Sequence, residues 1–177
     1  MPENEADQEL IDQVSRSDKY AQLAGTLVSR ITWEESKKHK SKQDIIQSAR
    51  TRLHQLTGAY LTPKIDYAQW LDKFKSLASN DQEALKSTSL QMMRLHASTA
   101  ERLAVLPTFF QTTLASISPV KSVLDLACGL NPLSIPWMPL ADDFSYFASD
   151  VVSPLVHFLW HYFELFGIPG NASILDL

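Results

Sequence analysis

The feature that most constrains this chain is a change of pattern at Ser118-Pro119. Upstream, apolar residues recur at helical spacing. Downstream come short apolar runs bounded by turn residues, the mark of strands buried in a parallel sheet. The first run is Ser122-Val123-Leu124-Asp125-Leu126-Ala127, the second Tyr146-Phe147-Ala148-Ser149-Asp150, and the third spans Ala172 to Leu177. Val152 to Phe166 reads as an amphipathic or buried helix between the last two. That alternation is the signature of a doubly wound α/β sheet. Three strands make a thin sheet, so the chain is expected to hold only the first half of a Rossmann-like domain (118–177), truncated or partial. A helical domain (1–117) precedes it.

In the front part, helices are predicted over Tyr20–Ile31, Gln43–Leu61 (ending near Gly58, with Pro63 barring continuation), Asp66–Ala78, and Asp81–Leu95 after Asn80 as N-cap. One more is expected from Ser98 or Thr99 toward Ile117, disturbed at Pro107. The start, Met1-Pro2-Glu3-Asn4-Glu5-Ala6-Asp7, is acidic and polar, unlike a leader. No run approaches the roughly 20 apolar residues of a membrane span. A cytoplasmic protein is the expectation, and a lone cysteine excludes an internal disulfide.

The net charge of −4 conceals an asymmetry. Ser15 to Lys64 holds ten Lys/Arg against four acids, whereas Leu103 onward holds one base against six acids. A basic front suits a polyanion, because cations that displace counterions dominate nucleic-acid affinity. Lys37, Lys38, Lys40, Lys42, Arg50 and Arg52 are the candidate phosphate contacts, against the alternative of an ordinary solvated helical face.

Ligands of open α/β sheets bind at the carboxyl ends of the strands. After the first run, Ala127-Cys128-Gly129 offers small residues that admit a ligand close to the backbone. The loop lacks the G-x-G-x-x-G of dinucleotide enzymes and looks instead like the first motif of S-adenosylmethionine (SAM) enzymes. Asp150, 21 residues beyond Gly129, could accept both hydroxyls of a ribose, and Asp176 could accept an adenine amino group. In His96-Ala97-Ser98-Thr99-Ala100-Glu101-Arg102, Ser98 and Glu101 have capping-box spacing. Arg102 would then sit in a first helical turn, where the dipole opposes a cation and a bound carboxylate would compensate it.

On these residues the chain resembles the Arm/Rmt family of aminoglycoside-resistance 16S rRNA (guanine-N7)-methyltransferases. The resemblance runs from about Lys19 to the end. It is carried by Ala49-Arg50-Thr51-Arg52-Leu53-His54, Gly58-Ala59-Tyr60-Leu61-Thr62-Pro63, Leu95 to Leu103, and Val123 to Leu133. It implies a helical domain that helps grip rRNA, joined to a class I SAM domain, and activity on 16S rRNA in the 30S subunit. It places Tyr60, His96, Ala97, Ser98, Arg102, Ala127, Gly129, Asp150, Asp176 and Leu177 in the cofactor pocket. Trp137-Met138-Pro139 and the aromatic helix from Val156 to Phe163 depart from the commoner members.

Guanine N7 has an in-plane lone pair and no proton to remove, so methylation there needs orientation and no general base. No catalytic residue is therefore expected. Cys128, which a C5-pyrimidine methylase would use as nucleophile, reads as a buried packing residue. His157 and His161 have metal-ligand spacing but no third ligand, so no metal site is expected. Two other readings stay open: a non-catalytic RNA- or SAM-binding remnant, and a methyltransferase of small molecules, which would not need the basic helical domain.

Overall fold

The computed structural model describes residues 5–58, 65–77 and 81–176, which fall into two compact units. Tyr60 and Leu177 lie outside the described residues, as do Asn80 and the ends of two predicted helices at Leu61 and Ala78.

The first unit comprises residues 5–58, 151–153 and 175–176. Three helices build it: α1 (Glu5–Ser15), α2 (Gly25–Ser36) and α3 (Lys42–Thr57). The polar composition of the start hides α1, yet Leu10 and Val14 repeat at i, i+4 and are buried. Leu27, Val28 and Ile31 of α2 meet this core, with Ile45, Ala49 and Leu53 of α3. The predicted start of α2 at Tyr20 is corrected. Leu23 is drawn into a bridge with Val152, and Ala24 N donates to Val151 O at 2.7 Å, so helical turns begin only at Gly25.

The second unit covers residues 65–150 and 154–174. In it α4 (Tyr67–Lys75) and α5 (Gln82–Met93) are capped by Asp66 and Asp81, whose carboxylates accept from Gln69 N and Ala84 N. The long helix expected over 98–117 is broken into α6 (Ala97–Ala100) and α7 (Leu106–Thr113). The break falls before Pro107, which occupies the first turn of α7 where its missing N–H costs nothing.

Strands β1 (Val120–Leu126), β2 (Leu140–Asp150) and β3 (Gly170–Ile174) form a parallel sheet in the order β1-β2-β3, with α8 (Ser153–Phe166) as the β2–β3 crossover. Tyr146 of β2 meets Phe163 of α8 edge-on at 5.8 Å, and Phe74 meets Tyr162 edge-on at 5.2 Å. The register partners Leu124 and Phe147 point to the other face, where they are 70% and 41% exposed. Among the described residues no helix is long and apolar enough to cross a membrane.

Candidate cofactor site

The carboxyl ends of β1 and β2 lie side by side, Leu126 pairing with Ser149. The chain leaves β1 through a turn that needs two left-handed residues, Ala127 (φ 51°) and Gly129 (φ 52°). Gly129 is also sterically obligatory. A Cβ there would lie 2.8 Å from Cε1 of His96, which is buried. Cys128 N donates to Ser149 O, and Gly129 N donates to Asp150 Oδ2 at 2.9 Å. The strand-end carboxylate and the small-residue loop thus hold each other, and His96 closes against the loop.

His96 Nδ1 lies 3.0 Å from Ser98 Oγ. Burial lowers its pKa, with Asp150 opposing, so the ring is neutral at pH 7. The capping box is corrected: His96 is the N-cap residue of α6, and the Ser98 hydroxyl turns to its ring. Arg102 is corrected too. It follows the C-cap Glu101, and its Nε donates to Ser98 O at 3.1 Å, so it faces the favourable, carboxyl end of the helix dipole. Its position therefore needs no compensating ligand, and a ligand role rests on its neighbours.

Chief among those neighbours is Asp125, which the sequence reading left out of the pocket. Tyr146 Oη donates to Asp125 Oδ2 at 2.6 Å and Asn131 Nδ2 donates to the same oxygen at 2.8 Å. Burial raises the pKa of Asp125. These two bonds and the Arg102 charge pull it back. Arg102 and Asp125 together set a cation and an anion beside one loop, a match for an amino-acid zwitterion. No local pattern marks this pair, because Tyr146 is the diagonal neighbour of Asp125 only in the observed register.

Cys128 is buried and its thiol is pushed well up by burial, which leaves no thiolate to act as nucleophile. His157 and His161 are exposed on α8, His161 beside Glu164 at 3.5 Å.

Asp176 belongs to the first unit. It lies two residues beyond β3, whose predicted end at Leu177 is corrected to Ile174. Within the first unit both its oxygens accept from Arg30, at 2.7 and 2.8 Å. Arg30 continues to Glu34 at 3.4 Å, Glu34 pairs with Arg52, and Arg52 reaches Glu35 at 3.1 Å. Glu35, 3% exposed, also accepts from Lys38 and Ser48 at 2.7 Å, and these donors hold its pKa down at about 2. Of the other candidate phosphate contacts, Lys42 pairs with Glu9 and Lys37 covers the Trp33 ring at 3.2 Å. Arg50 donates to Gln13 O, and Lys40 is exposed.

A family model described as ribosomal RNA methyltransferase (FmrO) matches residues 16–177. A 16S rRNA (guanine(1405)-N(7))-methyltransferase of Micromonospora echinospora is 32% identical over 180 residues, 99% of this chain and 65% of that protein. One from Serratia marcescens is 39% identical over 126 residues, 71% of this chain and 45% of that protein. The solved 16S rRNA methylase RmtB is 31% identical with a TM-score of 0.75, over 99% of this chain and 66% of its own. RmtF, solved with S-adenosyl-L-homocysteine, has a TM-score of 0.74 over 98% of this chain and 64% of its own. At 24% identity it shows the fold alone. The chain spans about two thirds or less of the length of these relatives.

Proposed function

Because the chain belongs to the FmrO family of ribosomal RNA methyltransferases, we propose that the protein transfers the SAM methyl group to N7 of a guanine in 16S rRNA. The substrate is the decoding region of the 30S subunit, and the consequence is aminoglycoside resistance. The observation that carries this reading is the lock between Gly129 N and Asp150 Oδ2 at the strand ends, at a glycine whose added Cβ would meet the His96 ring.

The residues present fit SAM. The small residues of the loop from Ala127 to Gly129 would let the ligand come close to the backbone. Asp150 would present its carboxylate to the ribose hydroxyls. Arg102 would take the methionine carboxylate and Asp125 its ammonium. His96, Ala97 and Ser98 would wall the pocket, and neutral His96 adds no positive charge beside a sulfonium. The resemblance adds Tyr60, Asp176 and Leu177, with Asp176 for the adenine amino group. Each of its oxygens keeps a second lone pair beyond the Arg30 bond.

Bound there, SAM supplies a methyl group activated by the sulfonium. The protein's contribution is to hold that methyl in line with N7, a proximity effect, and it abstracts no proton because N7 carries none. The basic first unit is the proposed rRNA grip.

The test is incubation of 30S subunits with the protein and methyl-labelled SAM, followed by chemical scission of the 16S rRNA at N7-methylguanine. One new cut in the decoding region, absent with Asp150→Ala, is the expected result. Label found elsewhere, or none, refutes the assignment.

A further inference from the structure

The first unit carries two polar surfaces of opposite character. On one, Asp176, Arg30, Glu34, Arg52, Glu35 and Lys38 alternate in sign, so each cation already meets a carboxylate. A phosphate arriving there must displace one. On the other, Gln43, Gln47, Arg50 and His54 of α3 stand at helical spacing along a groove of about 680 Å³ that also takes in Lys42. Among the described residues no carboxylate lines this groove, although Glu9 reaches Lys42 at 2.7 Å.

One of the groove's cations, Arg50, is also incompletely satisfied. Arg50 donates from Nη2 to Gln13 O, its Nε is buried without an acceptor, and no described carboxylate pairs with it. Lys19, outside the lining itself, reaches one of the lining residues, its Nζ lying 2.9 Å from Nδ1 of His54. Between these charges, the Gln43 and Gln47 amides are exposed donors of the kind that bind phosphate oxygens irrespective of sequence. From 43 to 54 the helix runs roughly 16 Å, room for more than one phosphate.

We infer that the RNA sugar–phosphate backbone runs along this groove, on Lys19, Lys42, Arg50 and His54 with Gln43 and Gln47 between them, and not over the lysines at 37–40. The inference rests on the proposed rRNA substrate and names the surface that holds it.

The test uses the full chain and a fluorescent RNA helix from the 16S decoding region, with binding followed by anisotropy across a salt series. Gln43→Glu combined with Gln47→Glu puts two negative charges into the groove at exposed helical positions that tolerate glutamate, and circular dichroism confirms the fold. Affinity should fall roughly tenfold or more at low salt. Lys19→Gln should flatten the log–log salt slope by roughly 0.7–0.9, and Lys19→Arg should restore it. Lys37→Gln with Lys40→Gln should leave the slope near that of the parent. If the parent binds RNA while the groove variants bind equally well, the groove is overturned alone. If the parent binds no RNA, the groove and the rRNA reading fall together.

Discussion

Replacing Gly129 by alanine tests the loop that organises the site. The backbone there has φ 52°, a conformation that costs an L-residue about 1–2 kcal/mol. The new methyl would stand 2.8 Å from Cε1 of His96, well inside the roughly 3.5–4.0 Å of ordinary carbon contact. His96 is only 6% exposed, so it cannot swing away freely, and overpacking of this kind costs about 1–3 kcal/mol. Part of the sum is returned by the reduced entropy of the unfolded chain. Gly129→Ala should therefore lose about 2–4 kcal/mol in urea unfolding followed by circular dichroism. Gly25→Ala is the control, because a Cβ there meets nothing within 4 Å. Adding His96→Ala should recover the steric part but not the backbone part. A Gly129→Ala protein as stable as Gly25→Ala would refute the reasoning, as would a double variant that recovers nothing.

Ala127 is the complementary case. It holds φ 51° with a side chain, so Ala127→Gly should stabilise the protein by about 0.5–1 kcal/mol in the same unfolding experiment. Glu35→Gln should cost about 1–2 kcal/mol at pH 7, a modest figure because Lys38 and Arg52 are themselves partly exposed. The folded pKa of Glu35 is depressed to about 2, so its stabilisation is present above the unfolded value near 4.5 and is lost as pH falls toward 2. Parent and variant curves should converge over that window, and parallel curves would contradict it. Arg102→Ala should weaken S-adenosylhomocysteine roughly tenfold or more in calorimetric titration while sparing methylthioadenosine, which lacks the amino-acid end. Equal losses for both ligands would remove Arg102 from the carboxylate role.

The second half of the chain was legible because its apolar runs are short and flanked by turn residues. β1, α8 and β3 fall within a few residues of their predicted places. β2 begins six residues early because Leu140–Ser145, with Asp142 and Asp143, is too polar to read as buried strand. Long-range contacts produced the other departures. The Val151–Val152 backbone delays α2, and Asp176 meets Arg30 across 146 residues of sequence. Asp150 and Gly129 could be paired from their spacing on a parallel sheet, whereas the Tyr146–Asp125 bond depends on a register that no local pattern encodes. The basic residues were visible as composition, but which of them are neutralised depends on how α2 and α3 pack.

The most direct measurement is calorimetric titration of S-adenosylhomocysteine into the chain and into Asp150→Ala. The expected result is one-to-one binding by the parent, weakened by about 1–3 kcal/mol in the variant through loss of charge-assisted hydrogen bonds. A parent that does not bind, or a variant that binds as tightly as the parent, would contradict the assignment of the β1–β2 strand ends as the SAM site.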